Sequence, residues 1–78
     1  MPAITKTLDA SGLACPMPVV KARLAINQLA PGEVLEVIST DRGSCTDIPA
    51  WAAGTGNQLL EQREDGGTFT FLIAKGAS

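Results

Sequence analysis

The chain has 78 residues, 45% of them hydrophobic and 18% charged, with a formal net charge of −2 and no histidine. That length describes one small domain, residues 1–78, whose core must be compact, because a chain of this size buries only about 60% of its surface on folding. The composition excludes a disordered chain, and the acidic balance leaves no whole-domain footprint for nucleic acid or an anionic membrane.

The opening "MPAITKTLDA" has neither the charged start and apolar run of a signal peptide nor the Arg-rich character of a transit peptide, and no window approaches a membrane span. The expected address is cytoplasmic, where thiols stay reduced, so Cys15 and Cys45 are expected as reactive or buried thiols rather than a structural disulfide. Residues 3 to 9 alternate weakly and end in "ASG", which predicts a first strand and a turn. From Pro16 to Ala30 the apolar residues Val19, Ala22, Ile26, Leu29 and Ala30 recur at helical spacing, and Pro31-Gly32 stops the segment. The β-branched run at residues 33 to 40 predicts a second strand.

A short second helix is predicted from residue 46 to 56, with Ser44 or Thr46 as N-cap, Ile48, Trp51 and Ala52 inward, and glycines at its end. Residues 57 to 64 and 68 to 75 flank "DGG" and form a hairpin in which Phe69, Phe71 and Ile73 alternate with Thr70, Leu72 and Ala74. The order is β-α-β-α-β-β. A right-handed crossover makes the first two strands parallel and sets both post-strand loops at one edge of the sheet. Cys15 and Cys45 belong to that edge, where ligands and chemistry gather in open α/β sheets.

Histidine-based triads and dyads are excluded by composition, and two thiols supply no tetrahedral zinc site without carboxylates or a second chain, so no metal is expected. Attention falls on Cys15 in "SGLACPMPVV". With Cys15 as N-cap, Pro16, Met17 and Pro18 become the first three helical residues, and proline is tolerated there because those donors have no partner within the helix. The free N–H groups of Met17 and Val19 and the helix dipole then favour a thiolate at Cys15. Pro18 stands where a Cys-x-x-Cys motif carries its resolving thiol, so a sulfur held on Cys15 is not discharged by a neighbour. Lys21 and Arg23 on the following turns support an anion or an acidic partner. The plainer reading of Cys-Pro alone is a small buried cysteine ahead of a proline-started helix.

The string "LDASGLACPMPVVKAR", followed in order by "PGEVLEVISTD", "DIPAW", "TGNQLLE" and "FLIAKG", resembles the TusA-type (SirA-like) family of sulfur carrier proteins over essentially the whole chain. The resemblance implies an α+β fold, a two-layer β-α-β-α-β-β sandwich. Its four-stranded mixed sheet has two helices on one face and the last strand antiparallel to the others. It implies that Cys15 accepts sulfane sulfur as a persulfide and relays it, as a carrier rather than an enzyme and with no cofactor beyond the transferred sulfur. A donor such as a cysteine desulfurase or a rhodanese-like protein and a downstream acceptor protein are the implied partners. Family members serve tRNA thiolation, molybdenum cofactor biosynthesis or sulfur oxidation.

Several residues keep two readings. Cys45 is a small loop residue or a second thiol at the active edge, able to receive or resolve sulfur. Asp41 and Asp47 are expected to make turn and helix-start hydrogen bonds rather than take part in chemistry. Val20 and Leu24 are core margin or an exposed apolar patch for partner docking, together with Lys21 and Arg23. Trp51 is a core anchor. The alternative functions are a dithiol redox or regulatory module using Cys15 and Cys45, and an RNA-binding module, against which the acidic balance and the scarcity of aromatic residues weigh.

Overall fold

A computed structural model describes residues 3–76; Met1, Pro2, Ala77 and Ser78, which the single-domain expectation includes, lie outside the described residues. The elements are β1 (Lys6–Ala10), α1 (Met17–Ile26), β2 (Val34–Ser39), α2 (Ser44–Gly54), β3 (Gln58–Asp65) and β4 (Thr68–Ala74). They form one four-stranded sheet in the order β1-β2-β4-β3. β1 runs parallel to β2, whereas β4 is antiparallel to both β2 and β3. The expected α+β architecture is the observed one.

The register explains how the core closes. Leu35 lies opposite Ile73, Val37 opposite Phe71 and Ser39 opposite Phe69, so alternate residues of β2 and β4 share one face. Those apolar residues form a single buried cluster with Ala22, Ala25, Ile26 and Leu29 from the α1 segment and Ile48 and Ala52 from α2. Both helices therefore cover the same face of the sheet. Phe71, Leu35, Ile48 and Ile73 are its largest fully buried apolar side chains, each stabilising the fold by about 1.5–3 kcal/mol. Among the described residues, no helix is long and apolar enough to cross a membrane.

Element ends differ from the sequence expectation for local reasons. α1 stops at Ile26, and the next residues close tighter turns, with Gln28 N–H donating to Ala25 O and Leu29 N–H to Ile26 O. Leu29 keeps its place in the core through that turn, while Ala30, expected inward, is exposed. α2 starts two residues early, at Ser44, with Gly43 rather than a serine or threonine as its N-cap, and no side chain caps it. Ser44 instead pairs its buried hydroxyl with that of Ser39 at 2.9 Å. The β3–β4 turn is Gly66-Gly67 with φ of 59° and 88°, the two positive values that a tight hairpin requires and glycine permits.

The Ser39–Ser44 pair ties the end of β2 to the start of α2, and the Ser39 hydroxyl also accepts from Asp41 N–H at 3.1 Å. It is the polar joint under the loop of residues 40–43. Ser44→Ala leaves a buried hydroxyl short of a partner and is expected to lower stability by about 1–2 kcal/mol in urea unfolding. A change within about 0.5 kcal/mol, the range of ordinary surface substitutions, would contradict that role.

Candidate functional site

β1 and β2 end level, Ala10 beside Ser39, so the loops that leave them emerge side by side. Gly12 N–H donates to Thr40 Oγ1 at 2.8 Å and fastens one loop to the other. Gly12 turns the chain with φ of 80°, and Leu13 N–H returns to Ala10 O. These contacts carry Cys15 across the end of the sheet to the start of α2. There Cys15 N–H donates to Asp41 Oδ2 at 3.1 Å, and its thiol donates to Asp47 Oδ2 at 2.7 Å.

Cys15 is an exposed free thiol. It is not the N-cap of α1. Pro16 holds that position, its bond to Cys15 is cis, and Met17 and Pro18 are the first two helical residues. The Met17 N–H, expected free to face an anion, donates to Ala14 O at 2.9 Å. The electrostatics are reversed accordingly. The hydrogen bond to Asp47, then desolvation, then the charges of Asp47 and Asp41 push the Cys15 thiol above its ordinary pKa. The expectation of a thiolate favoured by the helix start is thus overturned: Cys15 meets two carboxylates of another loop and helix, Asp47 at its thiol and Asp41 at its backbone N–H. Asp41 and Asp47, expected only in turn and helix-start bonds, are the two side chains that engage Cys15.

Gly43 is a further site residue that the sequence gives no reason to select. A Cβ there would lie 3.0 Å from Asp41 Oδ2 and 3.6 Å from the Cys15 Cβ. Any side chain at this position crowds the carboxylate that holds the Cys15 backbone. Arg42, beside it in sequence, is directed elsewhere, its guanidinium 5.7 Å from the centre of the Phe69 ring.

Pro18 is fully buried and offers no reactive group one turn after Cys15. On the opposite side of α1, Met17, Val20 and Leu24 follow one another at i, i+3 and i+7, so they share a face. Met17 is 41% and Leu24 57% exposed, and Val20 is half-buried. This apolar ridge begins next to Cys15. Lys21 and Arg23 are both exposed and flank it on opposite sides. Lys21 and Leu24 border a groove with Lys6, Leu8 and Gln28, whereas Arg23 borders a cleft with Asn27, Trp51, Thr55 and Lys75. Trp51 packs against the core as expected, although its buried Nε1 has no hydrogen-bond partner among the described residues.

Cys45 is a free, half-buried thiol in the first turn of α2, packed against the core rather than in a loop. It borders a groove with Gln62, Arg63, Glu64 and Phe69. Two residues along a helix turn the side chain by about 200°, so Cys45 leaves α2 on a different side from Asp47, the residue that touches Cys15.

The sequence profile of the family described as Sulfurtransferase TusA matches residues 6–75. The chain is 53% identical over 68 residues to the sulfur carrier protein TusA of Allochromatium vinosum, covering 87% of this chain and 90% of that protein. It is 49% identical over 71 residues to the putative sulfur carrier protein YrkI of Bacillus subtilis, covering 91% and 95%. The crystal structure of the SirA-like protein from Desulfitobacterium hafniense superposes with a TM-score of 0.82 at 32% identity, covering 92% of this chain and 99% of that one.

The acidic surroundings of Cys15 set a pH prediction. Asp47→Asn removes a negative charge in contact with Sγ, which lowers the thiol pKa and raises the thiolate fraction near neutrality. In a Cys45→Ser background, iodoacetamide is expected to alkylate Cys15 roughly 3- to 10-fold faster at pH 7, with the whole profile moved to lower pH. An unchanged or slower rate would contradict the contact.

Proposed function

The chain belongs to the TusA family of sulfur carrier proteins, and we propose that within it Cys15 is the residue that accepts sulfane sulfur as a persulfide and passes it on. One observation carries the reading: Cys15 is the exposed thiol at the sheet edge, placed by contacts from both loops, with no second thiol on its own helix turn. A carrier needs these features. Its sulfur must reach two partners in succession, and it must not be trapped meanwhile by a neighbouring thiol.

Pro16 and Pro18 support the site by starting α1 directly after the cysteine, and Pro18 anchors that start in the core. The partners that fit are a donor such as a cysteine desulfurase or rhodanese-like protein and an acceptor protein, met in a reducing cytoplasm. Sulfur destined for tRNA thiolation, molybdenum cofactor biosynthesis or oxidation is compatible with the same surface. Docking uses the Met17–Val20–Leu24 ridge, with Lys21 and Arg23 selecting an acidic partner surface. Such a ridge suits a transient contact, because it is small and rimmed by charge.

Incubation with a cysteine desulfurase and cysteine is expected to add the mass of one or more sulfur atoms, reversibly with reductant, to the parent protein and to Cys45→Ser. Cys15→Ser is expected to take up none, and normal loading of that variant would remove the assignment. Charge reversal at Lys21 and Arg23 together is expected to slow transfer from that desulfurase by about tenfold or more while leaving the urea midpoint unchanged. Equal transfer rates would place docking on another surface.

A further inference from the structure

The side chain in contact with Sγ is a carboxylate, and that contact has opposite consequences for the empty and the loaded carrier. We propose that Asp47 sets how tightly Cys15 holds its sulfur, stabilising the unloaded thiol by accepting its hydrogen bond and repelling the anion formed when sulfur is added. This rests on the reading of Cys15 as the sulfur-bearing residue and specifies what the protein does to the energy of the bound sulfur.

Loading is an exchange between a thiol and a persulfide. Cys15 Sγ attacks the terminal sulfur of a donor persulfide anion, R–S–S⁻. A bond forms between Sγ and that sulfur, the donor S–S bond breaks, and its electron pair leaves on the donor sulfur. The proton given up by Sγ ends on that leaving thiolate, so the products are the Cys15 persulfide anion and R–SH. One sulfane sulfur moves between two thiols, and no outside oxidant or reductant takes part. The protein enters neutral at this position and leaves negative, because a persulfide is a stronger acid than its parent thiol.

Asp47 and Asp41 both disfavour that change. Asp47 lies 2.7 Å from Sγ, and Asp41, held to the Cys15 N–H at 3.1 Å, adds a second negative charge. The thiol is a donor to Asp47, a role that the persulfide anion cannot fill. Arg42, the cation next to Asp41 in sequence, lies over the Phe69 ring. The consequence is a carrier whose sulfur is held loosely. Loading requires a donor of sufficient potential, and onward transfer relieves the repulsion. Asp47 touches the reacting atom and so belongs to the reaction itself, whereas Asp41 acts by positioning the Cys15 backbone.

The test is an exchange equilibrium in the Cys45→Ser protein, so that only Cys15 reports. Reduced protein is equilibrated with glutathione persulfide and glutathione at fixed ratios, alkylated, and the loaded fraction read by intact mass. Asp47→Asn is expected to raise the loading constant roughly 3- to 10-fold and to slow discharge into excess glutathione by a similar factor. Damage to the start of α2 would lower the urea midpoint without raising the loading constant, so the two effects separate. A parent protein that loads normally beside a variant with an equal or smaller constant overturns the role of Asp47 alone. A parent protein that takes up no sulfur at any ratio overturns the carrier reading and this inference with it.

Discussion

Parallel pairing of β1 with β2 is the constraint from which the site follows. The two strands end level at Ala10 and Ser39, so the chain must leave both at the same edge and cross the same end of the core. The crossover helix α1 has to start there, and so does α2. Cys15 is carried by the first loop, Asp41 and Asp47 by the second loop and its helix, and this strand geometry brings residues so far apart in sequence into one hydrogen-bonded cluster. The buried Ser39–Ser44 pair braces the second loop between β2 and α2, and the Gly12 to Thr40 bond fastens the first loop to it.

The resulting thiol differs from that of a cysteine enzyme. Enzymes that use cysteine as a nucleophile lower its pKa with a histidine, a cation or a helix start. This chain has no histidine, and Cys15 faces two carboxylates that push its pKa upward. A permanently activated thiolate suits a catalyst that turns over one substrate. A carrier has to load from one partner and unload to another, and on the function proposed above the acidic neighbours of Cys15 penalise the loaded anion and weaken its hold on the sulfur.

The element order, the parallel pair, the Gly-Gly hairpin and the shared edge follow from patterns local to a few residues or from handedness, and sequence reasoning reaches them. The Met17–Val20–Leu24 ridge is likewise visible in helical spacing once the start of α1 is known, with Leu24 exposed and Val20 half-buried. The electrostatics of Cys15 are another matter. Local reasoning weighs the helix that follows the cysteine, whereas the groups that decide its protonation lie 26 and 32 residues further on. The N-cap is also one residue later, at Pro16 rather than Cys15, and the Met17 N–H, one of the two donors on which that reasoning depends, is taken by Ala14 O. Gly43 is invisible for the same reason, since its importance lies in the space it leaves for a carboxylate bonded to another loop. Cys45 shows the converse: the sequence assigns it to the same edge as Cys15, and its position on α2 puts it on a different side of that helix from Asp47 and against the core.

On the proposed function, one sulfur atom rests on Cys15 and leaves it again. The direct measurement is a single-turnover chase: the protein is loaded with isotopically labelled sulfur, freed of donor, mixed with an excess of acceptor thiol, and mapped peptide by peptide over time. The label is expected on the peptide containing Cys15 at the start and on the acceptor at the end, with the protein back at its unmodified mass. Label found first on the peptide containing Cys45, or retained on the protein after the acceptor is added, would contradict the account.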